Sequence, residues 1–149
     1  MEAALGKGSC TREIWPHRAI CPIDGWFEWV DEGEPKKQPY FIRRKDGAPN
    51  LCASIGQLPD ADEGHGEHDG FVIITADSAG GMVDIHDRRP VVLSPELARE
   101  WINLATPKER AEQMALHQGE QAEAFEWFKV SAAVGNAHNQ EPELLKPTQ

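Results

Sequence analysis

Two side chains in this sequence have the chemistry needed for proton transfer. Glu28 lies within the aromatic segment Gly25-Trp26-Phe27-Glu28-Trp29, and His86 lies within the charged segment Ile85-His86-Asp87-Arg88-Arg89-Pro90. A carboxyl group surrounded by rings has a raised pKa, so Glu28 could accept and return a proton near neutral pH. The adjacent aromatic faces could stack on a nucleobase or pack around a sugar. The His86 imidazole could assist proton transfer while the neighbouring arginines hold phosphate oxygens.

Each candidate also has an ordinary structural explanation. Glu28 could alternate outward from a strand whose tryptophan side chains belong to the core. His86 could be a histidine at the end of a helix, beside solvated arginines. His65 and His68, in a stretch that also carries acids, offer donors for a metal ion, but glycine-rich acidic loops are more often solvated and mobile. We therefore predict no metal site there.

The composition indicates one domain, residues 1–149, with an acidic surface. The chain has 15 Lys and Arg against 25 Asp and Glu, a formal net charge of −10, which argues against coating nucleic acid through the overall field. Basic residues cluster in four short stretches, so a small basic cleft is expected. Cys10, Cys21 and Cys52 include no C-x-x-C pair, which indicates reduced thiols. The chain has no apolar signal core and no window close to about 18 apolar residues, which predicts a cytoplasmic protein without membrane association.

The order of elements is predicted from periodicity and turn residues. Segments 18–21 and 26–30 are expected as strands, and 40–45 and 51–55 as a hairpin in which Gly47 supplies the positive φ of the turn. The apolar run 71–74 is expected as a central strand buried on both faces. Further elements are predicted as a short helix at 77–84, a strand at 91–93, helices beginning at Ser94 and Thr106, a helix stop at Gly119 and a last strand at 125–130. The helix that begins at Ser94 should face the core with Leu97, Trp101, Ile102 and Ala105.

The motifs, taken in order, resemble the SOS-response-associated peptidase (SRAP) family of abasic-site processing proteins. The resemblance runs from about Trp15 to Pro147 and rests on several short matches in the same order. They are Arg18-Ala19-Ile20-Cys21, Asp24-Gly25-Trp26-Phe27-Glu28-Trp29, Lys37-Gln38-Pro39-Tyr40-Phe41, Ile85-His86-Asp87-Arg88-Arg89-Pro90 and the tail from Val134-Gly135-Asn136 to Pro147.

The resemblance implies an α+β fold: a twisted, mostly antiparallel β-sheet with a barrel-like core and a few short helices. It also implies action on abasic sites in single-stranded DNA, without a metal or organic cofactor. By this resemblance Glu28 matches the catalytic glutamate, and His86 matches the histidine that helps to open the sugar ring and reverse the cross-link. Trp26 and Phe27 would shape the pocket. Arg88 and Arg89 are phosphate-contact candidates on the ground of their charge.

The family's nucleophile is a cysteine that becomes the first residue after removal of the initiator methionine. Its amine and thiol together trap the ring-opened sugar as a thiazolidine. Here position 2 is Glu2, and the family segments that carry the nucleophile and an active-site asparagine have no counterpart. Cys10 cannot replace the nucleophile, because the nitrogen of an internal residue is an amide. We therefore expect this chain to correspond to the C-terminal part of the family domain and to be inactive in cross-linking as written.

Three explanations are open for this departure: a start codon assigned too late, which we favour, a truncated or split gene product, or a remnant that binds DNA without reacting. The isolated fragment is expected to be poorly stable or prone to associate, because missing strands would expose sheet edges. Two other functions are open as well. One is a noncatalytic module that holds single-stranded DNA with Trp26, Trp29 and basic loops, and the other is a metal-dependent hydrolase built on His65, His68 and His86. The oligomeric state is left open.

Overall fold

The structure is a computed structural model that describes residues 17–57, 64, 66–67, 69–78 and 80–148. Predictions that concern Cys10, Trp15, His65 and His68 lie outside the described residues. The chain divides into two compact units. The first contains Met1–Pro22, Leu51–Asp77 and Arg88–Glu120, and the second contains Ile23–Asn50, Ser78–Asp87 and Gln121–Gln149. That the whole chain acts as a single domain stays a prediction.

The described part of the chain forms strands, two α-helices and short 3-10 helices. The strands are β1 (Arg18–Ile23), β2 (Trp26–Val30), β3 (Gln38–Arg44), β4 (Asn50–Gln57), β5 (Gly70–Ile73), β6 (Thr75–Asp77), β7 (Arg88–Pro90), β8 (Val92–Leu93) and β9 (Phe125–Lys129). The α-helices are α1 (Pro95–Ile102) and α2 (Lys108–His117). The 3-10 helices are Gly80–Asp84, Ala122–Ala124, Ala132–Gly135 and Pro142–Leu145.

In the first unit, β4 is the central strand of the larger sheet. The strand order is β1-β4-β5, β8 also pairs with β4, and β6 and β7 form a separate two-stranded sheet. Side chains alternate between the two faces of a strand, so Ala53 and Ile55 face one way while Cys52 and Ser54 face the other. Ala53 and Ile55 belong to the buried core, together with Ile74, Val91, Leu93, Ala98, Trp101, Ala111, Met114 and Ala115.

Trp101 joins α1 to this sheet. Its side chain is fully buried, and its indole Nε1 donates to the carbonyl oxygens of Ala19 (3.0 Å) and Ser54 (3.2 Å). The Arg18 guanidinium lies 5.9 Å from the centre of the Trp101 ring and donates to Trp101 O (2.6 Å), Asn103 O (3.0 Å) and Thr106 O (2.8 Å). Because the last carbonyls of a helix have no intrahelical partner, Arg18 satisfies the C-terminal end of α1.

The helix boundaries confirm one predicted cap and correct another. Ser94 caps α1 as predicted, its Oγ accepting from Leu97 N at 3.3 Å. Thr106 does not cap α2, because its hydroxyl donates to Glu100 O at 2.7 Å and so closes the end of α1. Ile102 was expected in the core and is 50% exposed, since it is the last residue of α1 and lies off the face that buries Ala98 and Trp101. Both described α-helices are far shorter than a bilayer is thick, α2 having 10 residues.

In the second unit, β2, β3 and β9 form an antiparallel sheet with β3 in the middle. Directly opposite residues share a face, so the register divides the side chains into two sets. One set, here called the glutamate face, consists of Trp26, Glu28, Val30, Gln38, Tyr40, Ile42, Arg44, Phe125, Trp127 and Lys129. The other, the phenylalanine face, consists of Phe27, Trp29, Pro39, Phe41, Arg43, Glu126 and Phe128. Ring contacts agree, the centroids being 5.3 Å apart for Phe27 and Phe41 and 6.0 Å apart for Phe41 and Phe128.

Two strand predictions are wrong. The segments 40–45 and 51–55 do not pair as a hairpin, because β3 pairs with β2 and β9 whereas β4 pairs with β1, β5 and β8. The turn itself forms, with Gly47 at φ +74° and its N–H donating to Arg44 O, but β4 is buried along most of its length and takes neighbours on both edges. The run 71–74 is not a central strand either. It falls on β5 at a sheet edge, where Phe71 is 52% exposed.

The α+β class and the mostly antiparallel sheets are confirmed. The sheets in the described part of the chain are open and do not close into a barrel. The short helix predicted at 77–84 is a 3-10 helix at Gly80–Asp84, and the last strand is Phe125–Lys129.

Candidate functional site

The second unit brings Glu28 and His86 together, 58 residues apart in sequence. Glu28 Oε2 lies 4.0 Å from His86 Nε2, and His86 Nδ1 lies 3.2 Å from Asp87 Oδ1. The side chain of Glu28 is 19% exposed and that of His86 is 47% exposed, so the imidazole is more open to solvent than the carboxyl. The 4.0 Å separation exceeds a direct hydrogen bond and leaves the two groups able to act on a third group placed between them.

Local packing fixes the start of β2, the strand that carries Glu28. The buried Asn50 side chain donates from Nδ2 to Ile23 O and Asp24 O, both at 3.1 Å, and so holds the turn before the strand. A Cβ atom at Gly25 would overlap the carbonyl oxygen of Ile42 and the Phe41 ring. Only glycine therefore lets β2 enter this close to β3.

A closed loop carries His86. The backbone N–H of Ser78 donates to Asp87 O at 2.8 Å, which joins the two ends of the segment 78–87. Within it, the N–H groups of Ile85 and His86 both donate to Met82 O at 3.1 Å, and the Met82 side chain is buried. The position of His86 is thus set by main-chain bonds and one apolar anchor.

Partial burial raises the pKa of the Glu28 carboxyl above its ordinary value, because it disfavours the charged form. The electrostatic interaction with His86 opposes the rise in the Glu28 pKa, as does the Trp26 indole, and Asp87 adds to the rise by like-charge repulsion. The buried Trp26 Nε1 makes no hydrogen bond of standard geometry to a described residue, yet it lies near enough to act on the carboxyl. The pair has the features of an acid–base site, which are a carboxyl with a raised pKa and an accessible imidazole.

The predicted aromatic pocket residues do not share one face. Trp26 lies on the glutamate face, two residues from Glu28, with its ring 5.6 Å from that of Phe125. Phe27 lies on the phenylalanine face, where it lines a cleft of about 410 Å³. The rest of that lining consists of Asp24, Val134, Asn139, Gln140, Glu141, Pro142, Leu144 and Leu145. Alternation along β2 explains the division.

The two arginines of the predicted set belong to the first unit. Arg88 donates to Thr75 Oγ1 (2.9 Å), Thr75 O (3.0 Å) and Asp77 Oδ1 (3.1 Å), and its side chain is 35% exposed. Arg89 is 8% exposed. A phosphate contact by either residue stays a prediction. Among the described residues no group of three or more His, Cys, Asp or Glu side chains is arranged to hold a metal ion.

Sequence reasoning missed two neighbours of the pair. Tyr40 lies directly opposite Glu28 on β3, and its hydroxyl donates to Glu32 Oε1 at 2.7 Å. Asp87 contacts His86, although no role was predicted for Asp87 from the sequence. Tyr40 could have been found only from the β2–β3 register, whereas the adjacency of Asp87 to His86 was visible in the sequence.

The fold and this pair define an α+β protein with antiparallel sheets and a candidate acid–base site. Comparison with known proteins then gives the family: the model described as SOS response associated peptidase (SRAP) matches residues 1–137, and the chain belongs to this family. The family resemblance inferred from the sequence motifs is thereby confirmed.

Individual relatives agree with this assignment. Abasic site processing protein YedK of Escherichia coli (strain K12) is 50% identical over 137 residues, which are 91% of this chain and 60% of that protein. The solved structure of a phage-related protein of Bordetella bronchiseptica has a TM-score of 0.71 at 42% identity, covering 87% of this chain and 61% of that one. A protein of Bacteroides thetaiotaomicron has a TM-score of 0.79 at 27% identity, covering 99% and 64%. The chain therefore spans 60% to 64% of the length of these relatives.

Proposed function

We propose that this protein takes part in the processing of abasic sites in single-stranded DNA, with Glu28 and His86 as its acid–base pair. The supporting observation is the 4.0 Å separation of Glu28 Oε2 and His86 Nε2 in a chain of the SRAP family. The relative YedK is an abasic site processing protein at 50% identity. The site is proposed to work without a metal or cofactor, and the protein to act in the cytoplasm.

The proposed chemistry starts with the opening of the sugar ring. An abasic deoxyribose is a cyclic hemiacetal, and its aldehyde is exposed only when the anomeric hydroxyl loses a proton and the ring oxygen gains one. A carboxyl group whose pKa is raised can perform such a transfer near neutral pH, which suits Glu28. His86 assists from beside Glu28, since the two groups lie close enough to contact the same part of the sugar, and the same two groups act in the reverse reaction.

A thiazolidine cross-link needs a nucleophile with a free amine beside a thiol. In the 149-residue polypeptide Cys10, Cys21 and Cys52 are all internal, so each nitrogen is an amide and cannot form an imine. None of these three cysteines is therefore proposed as the residue that forms a thiazolidine. A form extended upstream to a Met-Cys start is proposed to form one.

For the DNA contacts, we propose that Trp26 borders the sugar, because it shares a face with Glu28. Phe27 supports β2 from the opposite face, and Arg88 and Arg89 are proposed to contact phosphates. These assignments predict that substitution of Trp26 affects abasic and intact DNA differently, whereas substitution of either arginine weakens binding to both.

The test uses a fluorescent single-stranded oligonucleotide with one abasic site and an intact copy. With the extended form, Glu28→Gln and His86→Ala are each expected to slow cross-link formation or reversal by about 10²-fold or more, as read on denaturing gels. The matched control is Glu126→Gln, which removes a carboxyl from the same sheet but from the phenylalanine face, where it pairs with Arg43 at 2.6 Å. Equal rates for all three variants would refute the acid–base assignment. An adduct formed by the 149-residue form would refute the account of the nucleophile.

One observation favours a second candidate, a noncatalytic single-stranded DNA-binding module. Trp29 is a large ring with 44% of its surface exposed, which suits stacking on an unpaired base. Such a module would bind abasic and intact oligonucleotides equally, with affinity falling steeply as salt rises. Binding that prefers the lesion at constant salt excludes this candidate.

A further inference from the structure

The pairing of β1 with β4 places two thiols opposite each other in the first unit. The N–H of Gly56 donates to His17 O at 2.9 Å, which fixes these two residues as an opposite pair. The two strands run antiparallel, because the Trp101 indole N–H reaches both Ala19 O and Ser54 O, each two residues from that pair on its own strand. In antiparallel strands each step forward along one strand is a step back along the other. Four steps from that pair, Cys21 of β1 therefore lies directly across from Cys52 of β4.

A second contact supports the same register. The Trp101 indole N–H donates to both Ala19 O and Ser54 O, and these two residues are opposite each other in that register. Ile20, which the register places across from Ala53, packs with Ala53 against the core of this unit. Cys21 and Cys52 must then share the other face of the sheet.

The spacing of opposite residues suits a disulfide. In a hydrogen-bonded antiparallel pair the Cα atoms lie about 5.5 Å apart, inside the range of about 4.4–6.8 Å found for disulfides. Both cysteines are free thiols in this structure. Burial raises the pKa of the Cys52 thiol to about 12, and the proximity of the Cys21 thiol contributes to the rise, which agrees with their being neighbours.

The two thiols differ in access. Cys52 is fully buried, whereas Cys21 is half-buried and lines a cleft of about 280 Å³. The other lining residues are Ala19, Ile20, Pro22, Ser54 and Phe71, so the cleft is mostly apolar. A small uncharged oxidant can reach Cys21 through it, whereas Cys52 is not among the lining residues and has no exposed surface.

We propose that Cys21 and Cys52 form an oxidisable pair in which a hydroperoxide attacks at Cys21 and Cys52 closes a cross-strand disulfide. In the first step the Cys21 sulfur takes one peroxide oxygen, the O–O bond breaks, and Cys21 becomes a sulfenic acid as water, or an alcohol from an organic hydroperoxide, leaves. In the second step the Cys52 sulfur attacks the Cys21 sulfur, the S–O bond breaks, and water leaves. The two thiols lose two electrons and two protons, and the hydroperoxide is the oxidant that takes them up.

The second step is slow at neutral pH. A thiol whose pKa is raised to about 12 is almost entirely protonated at pH 7, and the thiolate is the reacting form. The Cys21 sulfenic acid therefore accumulates, and disulfide closure accelerates about tenfold for each unit of pH.

The experiment treats the full 149-residue chain, carrying Cys10→Ser to remove the third thiol, with hydrogen peroxide at raised pH and then blocks remaining thiols with iodoacetamide. Tryptic digestion without reductant is expected to give the peptide Ala19–Lys36 linked to Asp46–Arg88, lighter by two hydrogen atoms than their sum and separated by a reductant. With Cys52→Ser in the same background, the link should disappear while dimedone labelling of Cys21 persists. With Cys21→Ser, Cys52 should remain unmodified at the same peroxide dose.

Three results would overturn the proposal. They are oxidation of Cys21 without any linked peptide at raised pH, linkage found only between molecules, and dimedone labelling of Cys52 in the Cys21→Ser chain. In the chain that retains both cysteines, the loss of the dimedone-reactive sulfenic acid reports closure of the disulfide. The test therefore stands even if a serine variant fails to fold. Neither the expected results nor the overturning results depend on DNA, so this inference and the proposed function succeed or fail separately.

Discussion

Replacing Trp101 by phenylalanine tests how the first unit is held together. Phenylalanine is smaller by about 40 Å³, and at about 24 cal/mol per Å³ of residual cavity this fully buried site loses about 1 kcal/mol. The substitution also removes the indole donor shared by Ala19 O and Ser54 O, which costs about 1–2 kcal/mol because these oxygens lie inside the fold. We expect the free energy of unfolding to fall by about 2–3 kcal/mol.

Urea denaturation followed by far-ultraviolet circular dichroism measures this loss. The matched control is Leu104→Ala, three residues further on, where the side chain is 93% exposed and a change within about 0.5 kcal/mol is expected. The slope of unfolding against urea should be the same for both variants, so that the midpoint alone reports stability. If Trp101→Phe shifts the midpoint no more than Leu104→Ala does, the indole bond and the close packing assigned to this residue are not there.

Three further substitutions probe other parts of the chain. Gly25→Ala is expected to lower stability by about 1–3 kcal/mol, because its Cβ would overlap Ile42 O, whereas Gly135→Ala, with nothing within 4 Å, should leave the thermal midpoint unchanged. The Arg18 guanidinium donates to three carbonyl oxygens, and Arg18→Lys puts a single ammonium in its place. This substitution should lower the free energy of unfolding by about 1–3 kcal/mol in urea titrations, and a decrease under about 0.5 kcal/mol contradicts the capping role. The raised pKa of Glu28 means that the folded state holds its proton to higher pH, so the stability it contributes is full below the unfolded pKa and is lost as pH rises through the folded pKa. Glu28→Gln should flatten the part of the stability profile that begins near the ordinary pKa of a glutamate and extends to higher pH, and an unaltered profile would show that burial does not perturb this carboxyl.

Local signals were enough to predict most elements of the chain. Aromatic and β-branched residues between turn formers gave β2 at Trp26–Val30 with its observed bounds, and Ser94 followed by proline gave the start of α1. These signals act within a few residues and do not depend on the rest of the fold. The acid–base candidates were found in the same way, because their residue types are chemical and need no neighbours to be recognised.

Strand pairing could not be predicted, because it depends on contacts between distant segments. The turn at Gly47 looked like that of a hairpin, yet burial along β4 requires partners on both of its edges. Phe71 looked like a core residue because hydropathy alone does not reveal that its strand lies at a sheet edge. The sequence order also placed Phe27 beside Glu28, whereas their side chains lie on opposite faces of one sheet.

Because side chains alternate along β2, the strand separates two surfaces of the sheet that have different functional requirements. Substituting a ring on one surface leaves the chemistry of the other intact, so the cleft beneath Phe27 is free to diversify while the carboxyl opposite Tyr40 stays in place. Inserting or deleting a single residue before the strand has a different effect. It would slide the register by one, turn Glu28 toward the apolar rings and present Phe27 in its stead, so this short stretch tolerates changes of residue type far better than changes of length.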